Sequence, residues 1–389
     1  NQHSHTSESG SVGEVFLTFL KLGCTSFGGP IAHLGYFRKE LVEKRQWVSE
    51  SQYAQLLAIC QFLPGPASSQ AGFSLGYTRA GWPGALAAFV AFTLPSALLL
   101  LAFASLLPLL SGPVGQAALH GLKIVAFAVV ADAVLGMARK LTPDIQRAAI
   151  AIGAAALLIL FSSAWLQVLV VLGGAIAGML LCKPAAAGST TAFTVRYGTR
   201  TGTILLVVFG ALLLGLPVLM FQGGSLISLA EAFYRAGALV FGGGHVVLPL
   251  LEDSLVATGW VSNEDFLAGY GAAQAIPGPM FAFSAYLGAV IPTGQPGWVG
   301  SAIALLFMFL PGFLLVAGVL PFWQAVAHNA VAGKAIAGVN AAVVGLLAAA
   351  LYDPIFTAAI QNVFDLIIGG IGFAMLAVWR LSPLAAVAW

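Results

Sequence analysis

Runs of about 18 or more apolar residues recur from one end of the chain to the other, and each is long enough to cross the hydrocarbon of a bilayer. Inside lipid no water can receive a backbone N–H or C=O, so a spanning segment must satisfy its own backbone. Only helices and closed barrels do so. Barrel strands alternate apolar and polar residues, whereas these runs are continuous, and a barrel is excluded. Of the 389 residues 59% are hydrophobic and 8% charged, against about a quarter charged in a soluble domain. The chain reads as an all-α polytopic membrane protein in contact with a lipid bilayer. Its soluble stretches are too short for a separate catalytic domain, and a net charge of +2 gives no footing for nucleic acid.

Thirteen apolar segments are expected, at 14–36, 53–77, 83–110, 114–138, 147–162, 163–182, 201–221, 226–251, 263–291, 297–320, 333–351, 354–368 and 369–388. Residues 1–13 form a polar tail that does not read as a signal peptide. The polar stretch 183–200, with Lys183, Arg196 and Arg200, reads as a linker. Cys24, Cys60 and Cys182 lack any CxxC or Cys/His spacing and are expected as buried reduced thiols, with no metal site.

The chain also repeats itself. FLKLGCTSFGGP at 19–30 matches FYRAGALVFGGG at 233–244, placing Lys21 on Arg235 and Phe27-Gly28-Gly29 on Phe241-Gly242-Gly243. One residue is then lost. Trp47-Val48-Ser49 falls on Trp260-Val261-Ser262, Gln61 on Gln274, and Pro64-Gly65-Pro66 on Pro277-Gly278-Pro279. Further on, Trp82 falls on Trp298, Pro95 on Pro311 and Lys123 on Lys334. Rare residues in matching order indicate an internal duplication: a first copy over 14–182, a linker with a connecting helix over 183–225, and a second copy over 226–389.

The two copies are expected to be inverted. They start seven segments apart, an odd number. The loop after the first glycine element carries Arg38, Lys39, Lys44 and Arg45; its counterpart carries Glu252, Asp253, Glu264 and Asp265 and no cation. Positive loops mark the cytoplasmic side, so the first loop lies inside and the second outside. Inverted repeats with interrupted helices are the architecture of secondary transporters.

The interruptions themselves are the first functional candidates. A proline inside a helix removes a donor and clashes with the preceding turn, so Pro64-Gly65-Pro66 and Pro277-Gly278-Pro279 should stop their helices. Irregular backbone at membrane depth survives only when buried in protein or lining a wet cavity. A plain kink is the alternative for one copy; two copies at matched positions, each preceded by a glutamine, favour a binding role. The glycine elements, Gly28-Gly29-Pro30 and Gly242-Gly243-Gly244, could start new half-helices whose positive ends face an anion, or serve helix packing.

Charges inside the membrane are costly and usually functional. Lys21 and Arg235 lie at matched positions just before the glycine elements; Glu231, four residues before Arg235, could make a structural ion pair instead. Lys123 and Lys334 lie near segment starts, where a lysine can snorkel. His33 and His245 follow the glycine elements and could relay protons or be structural. Asp132 could carry a proton or pair with Lys123 or Arg139, and Asn340 could line a polar path. Gly72-Phe73-Ser74-Leu75-Gly76 matches a hydrolase elbow but lacks the strand–turn–helix context, and reads as small-residue helix packing.

Taken together, FLKLGCTSFGGPIAHLGYFRKELVEKRQWVS, CQFLPGPASSQ, FGGGHVVLPLLED, GYGAAQAIPGPMF and GVNAAVVGLLAAALYDP resemble the chromate ion transporter (CHR) superfamily, over the whole chain and in its long two-domain form. The resemblance implies a secondary transporter of the bacterial inner membrane that exports chromate, driven by membrane potential or protons, and gives chromate resistance. Sulfate, another tetrahedral dianion, and import are the alternatives. A membrane-embedded reductase would need a flavin, haem or metal site, for which no motif is present, so no cofactor and no enzyme are expected. A second copy of the chain is the remaining partner considered. The residues suggest how such an ion would be held. The glycine and Pro-Gly-Pro elements meet near the midplane, with Lys21 and Arg235 for charge and Gln61, Ser68, Ser69 and Gln274 as hydrogen-bond donors.

Overall fold

The computed structural model describes residues 10–27, 29–161, 164–183, 195–220, 225–241, 246–323 and 329–389. Gly28, Gly242, Gly243, Gly244 and His245 among the candidates lie outside the described residues. Every regular element described is helical. Among the described residues five helices are long and apolar enough to cross a membrane: Ala67–Leu109, Pro113–Leu141, Thr199–Leu219, Gly297–Phe322 and Ala330–Ala359. Shorter apolar helices run over Ile145–Leu160, Leu169–Leu181, Met280–Val290 and Val363–Ala377.

Segmentation departs from the thirteen expected runs where the breaks fall. The first run is two helices, α1 (Val12–Thr25) and α2 (Gly29–Phe37). The second run is cut by Pro64-Gly65-Pro66. Its first part is α3 (Glu50–Phe62), opened by a capping box in which Ser49 and Gln52 satisfy each other's backbone N–H. Its second part continues through the third run as α4 (Ala67–Leu106), bent at Ala80 and Gly81. Then come α5 (Pro113–Leu141), α6 (Ile145–Leu160), α7 (Ala164–Leu181) and α8 (Thr199–Met220). Side chains of α8 such as Val207 and Leu214 stand exposed, as a lipid-facing surface should.

The later part of the chain repeats the earlier plan. Helix α9 (Ser225–Leu239) corresponds to α1, α10 (Val247–Leu255) to α2, and α11 (Asn263–Ala275) to α3. The Pro277-Gly278-Pro279 break, a 3-10 turn and α12 (Phe283–Val290) follow, then α13 (Gly297–Val319) and α14 (Ala330–Ala350). The chain closes with α15 (Val363–Ala377) and α16 (Pro383–Ala388). The one residue by which the copies differ here has a structural home. Residues Arg38–Lys44 form a π-helical turn. Trp47 donates its backbone N–H to Leu41 at 2.8 Å, six residues back, while Trp260 donates to Leu255 at 2.8 Å, five back. A π turn is the usual way a helix absorbs one extra residue.

Small residues set the helix crossings. Gly23 of α1 lies over the carbonyls of Ala91 and Phe92 in α4, and Gly237 of α9 lies over the carbonyl of Met308 in α13. Gly76 faces Gly84 across the bend of α4, and Gly288 of α12 faces Gly300 of α13. Close backbone approach of this kind replaces the missing hydrophobic drive between helices in lipid. It also explains the GxSxG string, since Gly72 and Gly76 are both contact positions.

Candidate functional site

The two breaks are exchanged between the halves. Gly65 donates its backbone N–H to the Val240 carbonyl at 2.7 Å, at the end of α9, and Gly278 donates to the Ser26 carbonyl at 2.9 Å, at the end of α1. These are the same bond at matched positions. Each Pro-Gly-Pro therefore docks on the C-terminal end of the helix that leads into the glycine element of the other half. Both glycines sit in the left-handed half of backbone space, Gly65 at φ +118° and Gly278 at φ +111°, which side chains strongly disfavour. A Cβ on Gly65 would meet the Gly312 Cα at 2.9 Å, and one on Gly278 would meet the Ser96 Oγ at 2.7 Å. Ser96 and Gly312 are again matched positions, each following the helix proline of α4 or α13.

The side chains divide less evenly. Gln70, fully buried, donates Nε2 to the Pro64 carbonyl at 2.9 Å and to the Gly312 carbonyl at 3.0 Å. It clamps the first break across the halves, and only its place in the SSQ run hinted at it. Ser68 and Ser69 are buried in the first turn of α4, where helix N–H groups have no intrahelical acceptor. Gln61 is exposed on α3 and is not brought to the break. Gln274 is buried and donates to the Met280 sulfur at 3.4 Å, a weak acceptor. His33 is fully buried on α2 with neither ring nitrogen hydrogen-bonded among the described residues.

Lys21 and Arg235 stand at matched places and contact matched positions: Lys21 Nζ lies 3.6 Å from Glu40, and Arg235 reaches Ser254 at 3.4 Å. The surroundings differ. Glu40 is buried and shared by Lys21, Lys44 at 3.4 Å and Arg45 at 3.0 Å. Burial works against its ionisation, but Arg45, Lys21 and Lys44 outweigh burial and hold the carboxyl below its usual range. Three cations and one carboxylate leave a net +2. Arg235 instead bonds buried Glu231 at 2.7 Å. Beside it Glu252, Asp253 and Asp353 line a cavity of about 310 Å³ that also touches Gln167 and Tyr352. Burial, then Asp253 and Asp353, push the Glu252 carboxyl up to about 7.

Lys123 does not snorkel. It is 6% exposed and pairs with Glu264 of α11 at 3.7 Å, while Gly271 of α11 lies against the Leu122 carbonyl. Helix α11 is thus closed onto α5. The matched contact, α3 against α14, is open: Ala58 is exposed, and no described atom lies within 4 Å of a Cβ built on Gly333. Lys334 is half-buried with its carbonyl over Gly178. Asp132 faces the charges of Arg139 and Arg380 rather than Lys123, and half-buried Asn340 keeps Oδ1 without a partner among the described residues. Cys60 and Cys182 are buried, but Cys24 is exposed, contrary to the expectation for all three.

The family model described as Chromate transporter matches twice, over residues 13–179 and 227–389. A probable chromate transport protein of Synechococcus elongatus is 30% identical over 97% of this chain and 92% of its own length. The chromate transport protein of Pseudomonas aeruginosa is 28% identical over 94% of this chain and 87% of its own. That of Cupriavidus metallidurans is 27% identical over 89% and 83%. No solved structure matches.

Proposed function

The chain belongs to the chromate transporter family, and on that premise we propose that it is a secondary active transporter exporting chromate across the bacterial inner membrane, which gives the cell chromate resistance. The observation that carries the reading is the reciprocal docking of Gly65 on Val240 and Gly278 on Ser26. It sets each Pro-Gly-Pro break against a helix end of the opposite half, and broken helix ends of this kind can replace an ion's hydration shell.

The halves are inverted, with the Arg38–Arg45 loop in the cytoplasm. The closed α5–α11 contact then seals the outer side and the open α3–α14 counterpart faces inward, so the two matched contacts are the gates of alternating access. Charge supports the direction. An anion meets net +2 around Glu40 at the inner mouth. At the outer mouth Arg235 stands against Glu231, Glu252, Asp253 and Asp353, a net −3 with all ionised. Such fields concentrate anions on one side and repel them on the other. An inside-negative potential of 100 mV adds about 4.6 kcal/mol for a dianion moving out. Protons are the coupling ion in this scheme.

Proteoliposomes holding the purified protein test it, with labelled chromate and an imposed potential. Saturable, potential-driven chromate flux is expected, with chromium leaving in its original oxidation state. Sulfate flux without chromate flux would make this a sulfate carrier, and flux that does not saturate would make it a channel.

A further inference from the structure

We propose that the transported oxyanion is gripped at the Gly278 break by Ser26, His33 and Thr93, so that one half of the duplicated fold supplies the polar contacts and the other an apolar mirror. The inference rests on reading the chain as an oxyanion transporter and adds the residues that recognise the ion.

The three side chains are 1%, 0% and 4% exposed. Ser26 Oγ, both ring nitrogens of His33 and Thr93 Oγ1 have no hydrogen-bond partner among the described residues. They belong to one neighbourhood. The Ser26 carbonyl receives the Gly278 N–H. The His33 ring makes a loose approach to the Ser26 backbone, short of good hydrogen-bond geometry, and stands edge-on to Phe92 at 5.5 Å. Thr93 follows Phe92, and its carbonyl receives the hydroxyl of Ser96, which lies against Gly278.

The repeat provides an internal control. The matched positions are Val240 for Ser26, Val247 for His33, Phe309 for Thr93 and Gly312 for Ser96. Val240, Val247 and Phe309 are as deeply buried as their polar counterparts. The same backbone therefore folds with hydrocarbon at these places, and the fold does not require a polar group there. Buried polar groups left unpaired are rare and call for a missing partner. Two hydroxyls and an imidazole N–H can all donate, which suits an oxyanion that only accepts. No carboxylate is among them.

The test uses the full-length protein in nanodiscs, titrated separately with sodium chromate and sodium sulfate against a sodium chloride control. Melting temperature is read with and without ion. Ser26→Ala and Thr93→Val remove hydroxyls that have no protein partner, so each ion-free variant should melt at or above the wild-type temperature. Each should raise the Kd for the stabilising ion about tenfold, the loss of one hydrogen bond to a charge. An unchanged Kd in both variants overturns the proposal and leaves these groups to bound water. Ion-free variants that melt well below wild type overturn it in favour of a structural role. If sulfate but not chromate stabilises the wild type and the variants weaken sulfate, the subsite stands and chromate transport falls. If chromate binds wild type and variants equally, the reverse holds. If neither ion stabilises the wild type, both fall.

Discussion

Placing a methyl group on either break glycine should damage the protein unequally, in an order the geometry sets. At φ near +110° to +118° an alanine carries backbone strain on the order of 1–3 kcal/mol. Steric overlap adds to it. The new Cβ of Gly65→Ala meets the Gly312 Cα and the Gln70 Nε2, both at 2.9 Å; that of Gly278→Ala meets the Ser96 Oγ at 2.7 Å and Cβ at 3.0 Å. Overpacking typically costs about 1–3 kcal/mol, so each substitution should lose about 2–6 kcal/mol. The obstacle at Gly278 is a serine side chain, whereas at Gly65 one obstacle is backbone. Adding Ser96→Gly, the residue the other half uses, should therefore remove the steric part from Gly278→Ala and leave only the strain. Nothing comparable can relieve Gly65→Ala. The assay is thermal unfolding in detergent alongside chromate flux in proteoliposomes. Stability and flux should fall in the order Ser96→Gly/Gly278→Ala, then Gly278→Ala, then Gly65→Ala. Wild-type melting and wild-type flux in both single variants would refute the docked-break geometry.

Lys21→Ala leaves Glu40 two other cations, so flux should fall with stability changed by no more than about 1 kcal/mol. Arg235→Ala strands buried Glu231 and should cost about 3–5 kcal/mol, recovered in Arg235→Ala/Glu231→Gln; thermal melts check both. Glu264→Gln should loosen the α5–α11 seal and shift the protein away from its present state by up to about fivefold. The readout is slower labelling of a cysteine placed at exposed Ala58, in a background where exposed Cys24 is serine. Glu252 is charged above about pH 7 and neutral below it. Lowering outside pH from about 8 to 6, across that value, should therefore weaken the repulsive outer field and let external sulfate, which stays a dianion over this range, inhibit export more strongly. Glu252→Gln should abolish that pH step, as measured by flux.

Helix class was legible because continuous apolar runs leave a membrane chain one choice of backbone. The breaks were legible because two prolines around a glycine cannot sit inside a helix. What joins the breaks was not legible, because the bonds from Gly65 to Val240 and from Gly278 to Ser26 use backbone atoms and leave no side-chain signature. The partner of Lys123 was not legible for a related reason. A lysine near a segment start can reach water in an isolated helix, but here α11 lies over it and brings Glu264. Gln61 looked equivalent to Gln274 by alignment, yet α3 stands away from α14 while α11 is closed on α5, so matched residues occupy different environments. Ser26 and Thr93 were missed because a small polar residue in a membrane helix usually bonds its own backbone, as Thr18 and Thr25 do here. In the folded protein these two do not.

The central claim is that the ion is held at an exchanged break, where Gly278 docks on the end of α1. Anomalous chromium density from chromate-soaked protein locates the ion directly. A peak is expected at the Gly278 break, within hydrogen-bonding reach of Ser26, His33 or Thr93. A peak only in the acidic cavity beside Glu252, or only at the Lys21–Glu40 cluster, would contradict it.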